Sequence, residues 1–291
     1  MKITTVSTGS GAGIEQAISG AAQIGASDAY MSDAEIKRRP QIINVPMAIA
    51  AQTVNYNLPG LEAANLKLDG GTLAGIYSGK IRAWDDKAIV ALNPKLKLPH
   101  NDIVPIHRSE ASGETFVFTQ YLTFTTEAWE NSPGFGATVA WPAVPGSLEA
   151  VGNPGMVEKI KQTPYSVGYV GVNFYREIAD AGIGTATLKS YDGEFLLPTP
   201  ESIAAAALGA RTPPDERLTL VNAPGANAYP LVNYEYAVVS TKQANAAALR
   251  RFLLWAIAPD ETNEKYFEDA HFIPLPAHTW VLSHDQIETI K

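Results

Sequence analysis

The densest run of groups able to handle an anion is His107-Arg108-Ser109-Glu110-Ala111-Ser112-Gly113-Glu114-Thr115. It lies between the strand-like run Ile103 to Ile106 and the apolar stretch Phe116 to Leu122, whose residues suit the buried face of a helix. A guanidinium and a hydroxyl therefore fall in a strand-to-helix turn. Ser112 is placed to cap the helix, Gly113 lets a ligand approach the backbone, and the first-turn N–H groups have no partner within the helix. Such a turn can receive a small oxyanion. Glu110 and Glu114 flank the same loop and would repel a fully ionised guest, so one is expected to orient Arg108 and another to accept a proton from the guest. Taken alone, the loop is equally a capped surface helix with an exposed arginine.

A second turn has related chemistry. Ile3 to Val6 alternates like a strand, and Ser7-Thr8-Gly9-Ser10-Gly11-Ala12-Gly13 then leads into the helical pattern Ile14, Ala17, Ile18, Ala21. Ser10 would sit beside free backbone N–H groups at a helix start, a geometry that holds a tetrahedral oxyanion. The spacing is neither a P-loop, which ends in Gly-Lys-Ser/Thr, nor the dinucleotide fingerprint, because Ile14 stands where the third glycine belongs. Asp28 closes a short strand within Gln23 to Asp33. It either caps a turn or presents a carboxylate at the C-terminal edge of a strand, where open α/β sheets bind ligands.

Around these turns the chain alternates strand and helix patterns, which predicts an α/β protein with mixed sheets and helices on both faces. Ile42 to Val54 reads as a strand buried on both faces and long enough to pass from one lobe to another. Helices are expected over Ser32 to Lys37, Leu73 to Tyr77, from Trp84-Asp85-Asp86 to Leu92, Val157 to Gln162, Phe174 to Ala181, Ser202 to Leu208 and Ala246 to Ile257. Gly134 to Gly155 reads as an irregular Gly/Pro-rich connection with Trp141 as a packing anchor, and Ser166 to Gly171 as a buried strand. The run Tyr229 to Val239 forms a second long crossing that returns the chain to the first lobe. Two crossings with a self-contained stretch between them predict one discontinuous domain with another inserted into it. The expected bounds are residues 1–48 with 233–291 for lobe I and 49–232 for lobe II, with a hinged cleft between them.

Composition narrows the function classes. At 291 residues and 46% hydrophobic content the chain can bury the cores of two lobes. A net charge of −8 without a Lys/Arg stripe argues against nucleic acid. It leaves room for an anionic small ligand, because a local site can oppose the global charge. No cysteine is present, which removes thiol catalysis, thiolate metal sites and disulfides. His100, His107, His271, His278 and His284 have no zinc-helix spacing, and neither Ser10 nor Ser112 sits in a Gly-x-Ser-x-Gly elbow. No metal, cofactor or catalytic residue is expected. The N-terminus carries no signal-peptide core.

Taken together, Thr8-Gly9-Ser10-Gly11-Ala12-Gly13, Gly25-Ala26-Ser27-Asp28-Ala29 and Arg108-Ser109-Glu110-Ala111-Ser112-Gly113 resemble the substrate-binding protein of the high-affinity phosphate ABC transporter. Tyr56-Asn57-Leu58-Pro59-Gly60, Tyr77-Ser78-Gly79-Lys80-Ile81 with Trp84-Asp85-Asp86, and Ser166-Val167-Gly168-Tyr169-Val170 extend the likeness, in order, over essentially the whole chain. The resemblance implies a two-lobed periplasmic-binding-protein fold of type II-like form with two hinge strands. It implies phosphate held between the lobes, no chemistry performed, a single-chain protein outside the cytoplasm or in the periplasm, and membrane permease subunits as partners. Residue by residue, it makes Ser10 and Asp28 contacts from the first lobe and Arg108, Ser112 and Gly113 contacts from the second. Glu110 stands where the family usually has an Asp paired with the arginine, and Glu114 where members vary between Thr and Asp.

The family pattern also carries a strand, a Gly/Ser/Thr turn and a helix upstream of the segment that begins here at Lys2. Either the chain is truncated, or its first lobe lacks a strand and leaves a sheet edge open. Truncation is the expectation, since losing the turn removes several hydrogen bonds to a charged group, each worth roughly 1.5–3 kcal/mol. Two rival functions share these residues: a phosphate-ester hydrolase, and a binder of another oxyanion or small organic acid.

Overall fold

The structure, a computed structural model, describes residues 3–291. The position Lys2, where the family-like segment begins, lies outside the described residues. In chain order the elements open with α1 (Ser10–Ser19), β1 (Gly25–Ser27), α2 (Asp33–Arg38), β2 (Ile42–Tyr56), β3 (Lys67–Leu68), α3 (Gly70–Tyr77), α4 (Lys87–Leu92) and β4 (Val104–Arg108). The middle of the chain supplies α5 (Gly113–Thr125), α6 (Glu127–Asn131), β5 (Leu148–Ala150), α7 (Gly152–Gln162), β6 (Ser166–Gly171), a 3-10 turn (Val172–Phe174) and α8 (Tyr175–Ala181). Then come β7 (Gly184–Thr185), β8 (Thr187–Lys189), β9 (Phe195–Leu196), α9 (Pro200–Leu208), β10 (Val232–Ser240), α10 (Ala246–Ile257), α11 (Glu264–Ala270) and α12 (Ala277–Glu288).

The long strand β2 joins the two halves of the molecule. Its first ten residues, Ile42 to Ala51, run antiparallel to β10, and β10 in turn pairs with β1. From Gln52 onward β2 changes partner, running antiparallel to β6 through Tyr56↔Val167. Parallel β4 and β5 extend that side, so the main sheet runs β1-β10-β2-β6-β4-β5. A separate three-stranded sheet of β3, β8 and β9 lies in the second half. The pattern is the one expected of a strand buried on both faces: Val45, Ile49, Ala51 and Val54 are all buried in one continuous core. A smaller cluster, built on Ile106, Met156, Ile160 and Val170, fills the space between β4, β6 and α7.

Aromatic side chains hold β4 and α5 in register beneath the candidate site. The Phe118 and Tyr169 rings stack with centroids 4.5 Å apart, and Tyr77 packs edge-on against Phe118 at 4.9 Å. The Tyr77 hydroxyl donates to the Ile106 carbonyl at 2.9 Å, so even this buried polar atom has a partner. Behind the loop, Trp141 stacks on His107 at 4.7 Å, the anchoring role expected of it.

Three sequence expectations are corrected. Ile3 to Val6 is no strand: Ile3 is 54% and Val6 75% exposed, and no described strand lies beside it to pair its backbone. The segment Gly134 to Gly155 is not wholly irregular, because β5 joins β4 in parallel and α7 already begins at Gly152. Two helices, α11 and α12, go beyond what periodicity predicts. The buried positions of α12 are Thr279, Ser283 and Ile287, a mostly polar face that makes no apolar stripe. Among the described residues, no helix is long and apolar enough to cross a membrane.

Candidate anion-binding site

Arg108 ends β4, and its position is fixed from both backbone and side chain. Its N–H donates to the Tyr169 hydroxyl at 3.1 Å, and the residue is only 5% exposed. The guanidinium donates through Nε to Glu110 Oε1 at 2.7 Å and through Nη2 to the same oxygen. Nη1 turns the other way, to Glu114 Oε2 at 2.8 Å and Asn153 Oδ1 at 3.4 Å. Ser112 is the cap of α5, accepting from the Thr115 N–H at 3.3 Å, while its hydroxyl donates to Glu114 Oε2 at 2.6 Å. Glu110 is thus paired with Arg108, and the Gly152 N–H steadies its carboxylate at 3.0 Å.

The opposing wall comes from α1, β1 and β10. The α1 start is capped by Gly9 in the left-handed region, φ 81°, with no side-chain cap, so the first-turn N–H groups point outward. Ser10 Oγ donates to Asp28 Oδ2 and accepts from the Asp28 N–H, both at 3.2 Å. Asn233 Nδ2 donates to Asp28 Oδ1 at 3.1 Å from β10. The walls touch directly: the Gly11 N–H donates to the Ala111 carbonyl at 3.2 Å. Gly113 lies so close to the first wall that a Cβ there would collide with Ser10 Oγ and Asp28 Oδ2, and would sit 2.5 Å from Asp28 Cβ. Ser10, Asp28, Arg108, Ser112, Gly113 and Glu114 therefore converge on one cleft, with two helix N-termini aimed into it.

Residues 1–260 match the PBP superfamily domain. Over 287 residues the chain is 34% identical to the phosphate-binding protein PstS of Methanocaldococcus jannaschii, covering 91% of this chain and 73% of that protein. The PstS of Haemophilus influenzae is 32% identical over 292 residues, covering 100% of this chain and 83% of its own. The chain belongs to the PstS family. Its backbone superposes on the phosphate-binding protein of Stenotrophomonas maltophilia with a TM-score of 0.77 at 21% identity, over 96% of this chain and 85% of that one. The two-lobed architecture is shared.

Within this PstS-family cleft, the electrostatics turn on four carboxyl groups around one guanidinium. Burial pushes Asp28 above its ordinary value and the charge of Glu114 adds to that, while hydrogen bonds from Glu235, Ser10 and Asn233 work the other way. Burial raises Glu235 much further, and the neighbouring Asp28 charge reinforces it. Of this coupled pair, Glu235 is the member that burial and the neighbouring charge push further toward its protonated form. Burial also works against Glu110, but the Arg108 hydrogen bond and the Gly152 N–H outweigh it and hold that carboxyl below its usual range.

Sequence reasoning missed Glu235, Asn233, Asn153 and Tyr169. Glu235 had a readable signal, as the lone acid in the apolar run Tyr229 to Val239. It stands at an irregularity of the β10–β2 pairing, where Glu235 faces Ala48 and Tyr236 faces Pro46. Bulges of this kind re-aim a side chain. Asn153 had no such signal, since it lies at the start of α7 in the stretch read as irregular.

Proposed function

We propose that this protein binds inorganic phosphate in the cleft between its lobes and delivers it to membrane permease subunits of an ABC transporter, outside the cytoplasm and without chemistry on the guest. One observation carries the reading: Asp28 and the N-terminus of α1 meet the N-terminus of α5 and Arg108 across a single cleft. N–H groups from both helix starts, the Ser112 hydroxyl and Arg108 are donors for a tetrahedral oxyanion. Asp28 is the acceptor. Phosphate near neutral pH keeps at least one proton to donate, whereas sulfate has none and would leave a buried carboxylate facing an unpaired oxygen.

The relatives named for phosphate binding support the same guest. The partner switch along β2 at Ala51 and Gln52 supports a division into residues 1–48 with 233–291 as lobe I and 49–232 as lobe II, with β2 as one hinge strand and the segment leading into β10 as the return crossing. Hydrolysis is disfavoured because the relatives are named as phosphate-binding proteins, and the nearest histidine in sequence, His107, stacks on Trp141.

Calorimetry with phosphate and sulfate tests the reading. Wild-type protein is expected to take phosphate and reject sulfate, and Asp28→Asn to narrow that preference about tenfold or more. Unchanged discrimination in Asp28→Asn would remove the proton-accepting role. Turnover of a phosphate ester by pure protein, lost in Ser10→Ala, would favour the hydrolase instead.

A further inference from the structure

The donors that a guest oxyanion needs from the second lobe are already taken by a side chain of the chain itself. Glu114 Oε2 accepts from Arg108 Nη1 at 2.8 Å and from the Ser112 hydroxyl at 2.6 Å, and Glu114 Oε1 accepts from Asn153 Nδ2 at 2.6 Å. Three donors from β4, the capping residue of α5 and α7 thus close around the two oxygens of one carboxylate, the arrangement they would adopt around two oxygens of a tetrahedral anion. Glu110 is already the fixed counter-charge of Arg108, bound along its Nε and Nη2 edge. Glu114 is therefore a second carboxylate on one guanidinium, and its charge is felt by both Asp28 and Glu235 across the cleft.

A guest anion cannot simply be added to this arrangement. It would compete for the same N–H and O–H groups and bring more negative charge beside Glu110, Glu114 and Asp28, with Arg108 as the cation they share. The Glu114 side chain is the member able to yield: it is 11% exposed, hangs on three rotatable bonds, and belongs to the first turn of α5. Asp28 is pinned by Ser10 and Asn233, and Glu110 by Arg108 and Gly152.

We propose that the Glu114 carboxylate is a tethered competitor for the oxyanion cradle, and that phosphate enters by displacing it from Arg108, Ser112 and Asn153. This rests on the reading of the cleft as a phosphate site. Its consequence is that apparent affinity equals the intrinsic affinity multiplied by the fraction of molecules in which Glu114 has swung away. The competitor thereby sets the working range of phosphate concentration, and it keeps the donors of Arg108, Ser112 and Asn153 satisfied between guests.

The test compares the wild-type chain, Glu114→Gln and Glu114→Thr by phosphate calorimetry at neutral pH, with thermal unfolding of each protein with and without phosphate. Both variants are expected to bind phosphate about tenfold tighter or more, because the competing charge is gone. Both are also expected to melt lower without phosphate and to gain more from its addition, since Arg108 then lacks one partner until the guest arrives. Glu114→Thr keeps the test decisive if the amide of Glu114→Gln unsettles the loop. Weaker binding in both variants makes Glu114 a direct ligand and overturns the proposal. Affinity within about twofold of wild type makes it a bystander and overturns it equally. If neither wild type nor variants bind phosphate, the phosphate reading fails and this proposal with it, an outcome distinct from tight wild-type binding that the variants do not improve.

Discussion

At the scale of single residues, the cleft depends on how closely its walls approach. Gly113 is required there because a methyl group would meet Ser10 and Asp28, both held by hydrogen bonds and unable to retreat. Gly113→Ala is expected to hold the lobes apart and to weaken phosphate binding by about 1–3 kcal/mol, the usual cost of overpacking. Calorimetry measures that loss, and circular dichroism should show the fold retained. The role of Gly113 was partly legible in sequence, as a glycine after a capping serine. The collision partners were not, because they lie 103 and 85 positions earlier in the chain.

At the scale of elements, the C-terminal helix α12 is fastened by an unusual acid. Glu216 is fully buried in the left-handed region, φ 56°, where a non-glycine residue persists only if its surroundings hold it. Ser283 donates to one of its oxygens at 2.6 Å and Gln286 to the other at 2.7 Å, tying the loop after α9 to α12. Burial raises this carboxyl to about 8 from 4.5, with the two hydrogen bonds opposing the shift. Below pH 4.5 folded and unfolded chains both hold the proton, while between 4.5 and about 8 the unfolded chain increasingly releases a proton that the folded one keeps. Stability from this group therefore declines as pH rises through that window and levels off above it. Glu216→Gln is expected to remove a pH dependence on the order of a few kcal/mol, read as the wild-type minus variant difference in denaturant unfolding at pH 5 and pH 8. The helix α12 was invisible to periodicity because its buried side is made of Thr279 and Ser283, whose partners are polar and distant. By contrast β2 was legible at full length, since a strand covered on both faces must be apolar throughout.

At the scale of the whole molecule, one sheet runs through both lobes by way of β2, and the larger core gathers residues from both ends of the chain. The lobes should therefore unfold together. Thermal unfolding is expected to show a single transition by near- and far-ultraviolet circular dichroism. Phosphate at about a hundredfold its Kd should raise the unfolding free energy by about 2.7 kcal/mol without splitting that transition. Two transitions, with phosphate moving only one, would mean that the lobes are energetically separate and that closure contributes little to the fold.

The sequence by itself determined much of what is local: most of the segments that form helices and strands, that Ser112 caps a helix, that Arg108, Ser112 and Gly113 lie at a strand-to-helix turn, and that Ser10 lies at a helix start. Capping, turn chemistry and hydrophobic period act over a few residues, so their outcome can be read from neighbours in the chain. Tertiary structure alone decided that Ile3 to Val6 has no described strand to join, that Glu235 is buried beside Asp28, and that Glu114 occupies the donors of Arg108, Ser112 and Asn153. Strand pairing, desolvation and charge–charge coupling depend on what packs across a gap, and the partner of Asp28 on β10 lies 205 positions away.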